Sequence, residues 1–246
     1  MIPIFKSHFS LNSSLLTLEP AEEIKDNLPA SVFSVAKKHG LKDVYLVDSS
    51  MSGFLQAFSG AKKSELNLRY GVELTVVSNI KDKSEESLKT EHTIIVWLLN
   101  SEGYPDLCKL VTCANIEGFY YRPRIDEESL AKLLTPNLMV TIPFYGSFLA
   151  NNSLKFATCV FNYERFNSIF FKEYSNLPFD QVIENKINSL KVSTQPVKTV
   201  YYYRKSDFPA FMTVKCIGKR STWDKPNLDG MASDDFAFET FLEQTK

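Results

Sequence analysis

The chain has 246 residues, of which 44% are hydrophobic and 23% charged, and its formal net charge is -1. This is the composition of a folded protein, long enough to bury a full core without metals or disulfides. The near-zero charge argues against strong autonomous duplex binding, which draws on neutralised phosphates. No stretch approaches a membrane span.

In chain order, Pro3 to Phe9 reads as a strand and Ala30 to His39 as a helix, with Gly40 placed for a left-handed cap. Asp43 to Val47 is a β-rich run, Ser52 to Lys63 a helix and Leu68 to Val77 a strand. Ile80 to Glu91 is charged and reads as a solvated loop. Thr93 to Leu99 is a continuous apolar run, the mark of a strand buried on both faces. Tyr104 to Asn115 is an amphipathic helix. Asp126 to Leu134 is another, with Asp126 as its cap. Leu138 to Ile142 and Ser168 to Glu173 read as strands, Asp180 to Leu190 as a helix. Val197 to Tyr203 is the last strand, followed by a helix from Asp207 to Gly218.

Strands alternating with helices predict parallel pairing in an α/β fold, and seven such units predict a barrel more than an open sheet. No internal repeat or Pro/Gly/Ser-rich linker appears, so the expectation is a single domain over 1–246, with about 222–246 as a C-terminal extension. Cys108, Cys113, Cys159 and Cys216 form no CxxC pair and have no His at zinc spacing. They are expected to be free thiols. Met1 to Phe5 lacks a signal-peptide pattern, and the expected location is cytoplasmic.

Several stretches carry a resemblance. His8-Phe9-Ser10 to Ser14-Leu15-Leu16 follows a pattern H-x-H-S-x-x-S-L-L. Val47-Asp48-Ser49, then Gly53, follows a T-D-H strand end with its glycine. Arg69 to Leu74 fits I-x-G-x-E. Asn100 to Leu110 and Glu117-Gly118-Phe119-Tyr120-Tyr121-Arg122-Pro123-Arg124-Ile125-Asp126 match most closely. Lys198 to Asp207 and Ala232 to Phe241 continue the match in order. These residues resemble the PHP (polymerase and histidinol phosphatase) domain that opens bacterial DNA polymerase III alpha subunits. The resemblance implies a distorted seven-stranded (βα)7 PHP barrel. It covers nearly the whole chain, read as a stand-alone module, while the polymerase palm, thumb and fingers find no match.

Active PHP domains hold up to three metals with His, Asp, Glu and sometimes Cys at the C-terminal ends of barrel strands. Clustered metals there activate a water and stabilise a leaving oxygen. At the matched positions His8, Asp48, Glu73 and His92 survive. Ser10, Ser49, Phe144, Thr199 and Tyr201 replace ligands. The resemblance therefore implies a degenerate metal site, with no catalytic residues and no cofactor expected. If a metal binds, His8, Asp48 and Glu73 would hold a single Zn or Mn. The implied role is a non-catalytic scaffold for a polymerase core or a proofreading exonuclease subunit, with weak or indirect DNA contact. The alternative is a metal-dependent phosphoesterase or 3′–5′ exonuclease with a reduced site. A barrel repurposed to bind a nucleotide or other small ligand is a third reading that no residue favours. Tyr201-Tyr202-Tyr203 is expected to pack rather than to stack bases. Arg122 and Arg124 are expected in surface ion pairs, and Lys215, Lys219 and Arg220 on a solvated face.

Overall fold

A computed structural model of the chain describes residues 1–10, 14–24, 29–220, 222 and 233–245, with the Lys219 side chain left out. Leu11 to Ser13 of the first motif, and residues 223–232 and 246 of the expected C-terminal extension, lie outside the described residues. The described strands are β1 (Ile2–Phe5), β2 (Asp43–Asp48), β3 (Asn67–Val77), β4 (His92–Leu98), β5 (Arg124–Asp126), β6 (Leu138–Ile142), β7 (Ile169–Lys172) and β8 (Thr194–Val200). The helices are α1 (Val32–Lys38), α2 (Phe54–Lys63), α3 (Tyr104–Ile116), α4 (Glu127–Leu133), α5 (Phe148–Leu154), α6 (Asp180–Leu190), α7 (Phe208–Lys219) and α8 (Phe238–Gln244).

The strand order is β2-β1-β8-β7-β6-β4-β3-β5, and β3 also pairs with β2. Seven strands thus close an α/β barrel, while β5 pairs with β3 alone. The pairing is not wholly parallel, as strand–helix alternation had predicted. β4 runs antiparallel to β3, with Val76 opposite His92, and antiparallel to β6, with Val96 opposite Val140. The reason lies between β3 and β4: residues 78–91 form only a short 3-10 turn (Glu86–Thr90), with no α-helical crossover to reverse the chain.

The chain divides into two compact units. Unit 1 comprises Met1–Tyr70, Glu173–Leu177 and Val197–Lys246. Within it β1 lies parallel to β2 and to the second half of β8. Helix α1 begins where Ser31 accepts the Ser34 N–H and the Ser34 hydroxyl returns to the Ser31 N–H, a reciprocal cap. It ends at Gly40, whose φ of +68° suits glycine. Residues 233–245 are part of the unit 1 core. Phe236 and Phe238 are fully buried, and Phe238 stacks on Phe5 at 5.6 Å. Backbone bonds from Tyr201 N–H to Phe236 C=O and from Phe238 N–H to Tyr202 C=O fix the segment. Tyr201, Tyr202 and Tyr203 therefore lie in a turn after β8 and not on a strand. The first two are buried against Phe211, consistent with packing.

Unit 2 comprises Gly71–Lys172 and Pro178–Pro196. Its core joins Val72, Ile94 and Val140 from the strands to Leu107, Leu110 and Ile183 from the helices. Asp126 caps α4 by accepting the Ser129 N–H at 2.9 Å, and Ser147 caps α5. A Cβ on Gly118 would fall 1.8 Å from the Arg124 carbonyl oxygen, so only glycine admits the return of the chain into β5.

Arg124 corrects the expectation of a surface ion pair. It is fully buried, donating from Nε to Gly118 C=O (3.1 Å), from Nη1 to Ser87 Oγ (3.0 Å) and from Nη2 to Asp82 C=O (3.1 Å). Its guanidinium also lies over the Tyr120 ring at 4.9 Å. The same bonds anchor Asp82 and Ser87 of the charged 80–91 segment, whose residues 81–86 are solvent-exposed as expected of a surface loop. Arg122, by contrast, is exposed and faces Glu91 at 3.5 Å, as a surface pair.

Candidate functional site

The nine positions matched to metal ligands fall into two groups. His8, Ser10, Asp48, Ser49, Thr199 and Tyr201 belong to unit 1, and Glu73, His92 and Phe144 to unit 2.

In unit 1 the focus is Asp48, at the C-terminal end of β2 and fully buried. A buried carboxylate must be matched by donors or it costs several kcal/mol. Here the donors are Ser7 N–H at 3.1 Å, the Ser7 hydroxyl within 2.9 Å of both oxygens, and the Ser10 hydroxyl at 2.7 Å. Each hydroxyl is itself oriented by a backbone donor: Phe9 N–H reaches Ser7 Oγ (3.2 Å) and Ser49 N–H reaches Ser10 Oγ (3.1 Å). Two chains of hydrogen bonds thus run from backbone amides through serines to one carboxylate. Ser7 was not among the expected site residues. The motif was counted from His8, and nothing in it marks a serine one position earlier as a partner of Asp48.

His8 takes no part in this cluster. Its side chain is exposed and its ring rests on Phe9 at 4.4 Å. Ser14, the serine of the S-L-L motif, donates to the carbonyls of Lys6 and Tyr201 at 2.7 and 2.8 Å. The motif is thereby a backbone staple joining the chain after β1 to the chain after β8.

Thr199 is bound to a carboxylate that sequence reading had not singled out. Glu173, at the start of the short unit 1 segment Glu173–Leu177, accepts from Thr199 N–H (2.8 Å), the Thr199 hydroxyl (2.7 Å) and the Ser175 hydroxyl (3.1 Å). Next to it the fully buried Lys198 donates to Tyr174 C=O and Ser175 Oγ, both at 2.8 Å, with its ammonium 5.4 Å from the Phe236 ring centre. Burial raises the Glu173 carboxyl above the usual range, and the Lys198 charge and the three donors oppose that rise. Tyr201 fills its position with packing. Its ring sits 5.3 Å from Phe211 and 5.5 Å from Phe236.

In unit 2 His92 opens β4 and is 2% exposed. Nδ1 lies 3.3 Å from Thr90 C=O, and Nε2 has no hydrogen-bond partner among the described residues. The ring meets Phe148 and Phe161 edge-on at 5.9 and 5.4 Å. Burial pushes its pKa down to about 4, so it is neutral at physiological pH. Phe144 is 2% exposed and packs edge-on against Tyr145 at 5.0 Å. Glu73 is half-buried on β3, opposite Ile95. Among the described residues, no group of three or more His, Cys, Asp or Glu side chains is arranged to hold a metal ion. The described cysteines are free, and burial lifts the Cys159 thiol to about 11.

Comparison with known proteins gives the family. The PHP domain model matches residues 26–152, just over half of the chain, and the chain belongs to the PHP domain family. DNA polymerase III subunit alpha of Borreliella burgdorferi is 31% identical over 128 residues, which is 51% of this chain and 11% of that protein. The subunit of the same name from Aquifex aeolicus is 31% identical over 133 residues, again 51% of this chain and 11% of that protein. The match thus spans about a tenth of the length of these relatives. A solved amidohydrolase from Chromobacterium violaceum is a loose likeness, with TM-score 0.42 and 12% identity over 81% of this chain and 87% of that chain. Among the described residues, no helix is long and apolar enough to cross a membrane.

Proposed function

We propose that this chain is a non-catalytic PHP module of a DNA polymerase III type assembly, serving as a scaffold for a polymerase core or a proofreading exonuclease. The observation that carries the non-catalytic reading is the state of Asp48. A metal ligand must present lone pairs to the ion. The Asp48 oxygens instead face Ser7 and Ser10 donors that a metal would have to displace. His8 turned outward and His92 enclosed by rings support the same reading. On this account the residues present do not fit a metal cluster. The old ligand positions have become structural: a serine–carboxylate hub at Asp48, a threonine–carboxylate lock at Thr199 and Glu173, and aromatic fill at Phe144 and Tyr201.

The assembly context rests on the relatives, which carry the name DNA polymerase III subunit alpha. A family fold alone licenses no activity, so the scaffold role is tested by association. Tagged protein recovered from its native cell should bring down a polymerase core or an exonuclease in near-stoichiometric amount. Recovery of neither would sink the scaffold reading.

A further inference from the structure

Helix α3 of unit 2 presents an exposed face made by Lys109, Thr112, Ile116 and Glu117. At 3.6 residues per turn these four fall within about 140° of arc. Beside them, toward Leu133 of α4, lies a shallow hollow of about 330 Å³. Half-exposed Cys108 and Leu133 and exposed Thr112 line it, and Ile116 stands at its edge with 74% of its surface in solvent. One exposed isoleucine means little by itself. Here it stands as an apolar knob next to an apolar hole, between two ends of opposite charge.

Toward the N-terminal end of the face, Lys109 pairs with Asp106 at 3.0 Å, yet the lysine side chain is 63% exposed and that of Asp106 only 15%. The Asp106 carboxylate also accepts from the Thr135 hydroxyl at 2.9 Å, so what this end offers to solvent is the cation. At the other end Glu117 caps the helix, exposed and with no ion pair among the described residues. The last turn holds no basic residue. The Glu117 carboxylate therefore sits at the negative end of the helix dipole, where a cation is favoured. Lys109 and Glu117 are about 12 Å apart along the helix, too far to meet each other. A face with a cation at one end, an anion at the other and a knob and a hole between them is complementary to a copy of itself turned by half a revolution. We propose that two copies of this chain pair through α3, antiparallel, about a two-fold axis near Thr112 and Cys113. Lys109 of each copy would meet Glu117 of the other, and Ile116 of each would enter the other's hollow beside Cys108 and Thr112. This pairing goes beyond the scaffold reading and does not depend on it.

The test is sedimentation velocity of the full chain over a range of concentrations, in low and high salt. The expected result is a monomer–dimer equilibrium that salt weakens. Ile116→Asp places a charge in the apolar centre of the contact and should weaken the dimer about tenfold or more. The residue is exposed, so the far-ultraviolet circular dichroism should not change. Lys109→Glu alone and Glu117→Lys alone set like charges opposite each other, and each should weaken the dimer. The double variant K109E/E117K exchanges the two charges and should restore much of the parent affinity, a rescue that non-specific association does not give. A chain that stays monomeric up to its highest soluble concentration overturns the proposal. So does a dimer that Ile116→Asp leaves intact, or one that the exchanged pair fails to restore. A monomer that loses a bound polymerase or exonuclease on Ile116→Asp also overturns it, and gives the face to that partner. Recovery of a polymerase or exonuclease by the parent chain is read separately, and there the scaffold reading stands or falls.

Discussion

Replacing Asp48 by Ala should be among the most damaging single changes in unit 1. The carboxylate is the acceptor for Ser7 N–H, Ser7 O–H and Ser10 O–H, and both serines are buried. Alanine leaves three buried donors without an acceptor, at about 1–3 kcal/mol each, or roughly 3 to 9 kcal/mol together. A domain of ordinary stability, about 5–15 kcal/mol, loses much of its margin to such a change. Asp48→Asn keeps one oxygen, and its amide can donate to the serine hydroxyls once they rotate. Its cost should be smaller, about 1 to 3 kcal/mol. The assay is urea unfolding read by the fluorescence of buried Trp97, with parent and variants compared at equal slope. The order should be parent, then D48N, then D48A. Parent stability should be the same with a chelator as with added manganese or zinc. The reasoning fails if D48A costs less than about 1 kcal/mol, or if added metal stabilises the parent and not D48A, since Asp48 would then be a ligand and not a hub.

Other expectations follow from the same geometry. His92 is held at about 4 in the fold against 6.5 unperturbed, so between those values the unfolded chain binds the extra proton and stability falls as pH falls. The loss should approach about 3 kcal/mol at pH 4, and His92→Leu should flatten that part of the pH–stability curve. Glu173 has the opposite sign. Its raised pKa stabilises the fold fully below 4.5 and less as pH rises through the folded value, so Glu173→Gln should remove that decline. Lys198→Met takes the cation from beside buried Glu173 and should cost about 3 to 5 kcal/mol. Hydrogen exchange should then rise in residues 173–177. Arg124→Met should cost a similar amount, about 3 kcal/mol or more, because four of its acceptors are buried or half-buried carbonyl and hydroxyl oxygens. Protease cleavage within 80–91 should report the loss.

Much of the fold could be read from local signals. Gly40 at φ +68° and Asp126 capping α4 sit where capping chemistry predicted. Leu138–Ile142 and Asp180–Leu190 have the bounds that pattern alone suggested. What escaped was non-local. The direction of β4 depends on how the chain returns after β3, and an apolar run such as Ile94-Ile95-Val96 reads the same in either direction. The three residues of β5 are too few for any periodicity. Arg124 looked like a surface cation because its acceptors are mostly backbone carbonyls distant in sequence, which leave no mark in the residue pattern. At the site, Asp48 stood out through the resemblance, but its serine partners could be found only once the end of β2 was placed beside the turn after β1. Glu173 was hidden as the last residue of an apolar strand. Its partners Thr199 and Ser175 carry no signal of a buried carboxylate.

The most direct test of the central claim is the metal content of the purified chain by elemental mass spectrometry, after loading with zinc and manganese and removal of loosely held ions. If the PHP ligand positions have become a hydrogen-bonded framework, metal should fall well below one ion per chain and should not differ between the parent and Asp48→Asn. More than one equivalent of tightly held zinc or manganese, lost in Asp48→Asn, would contradict it and return the chain to the metal-dependent phosphoesterases.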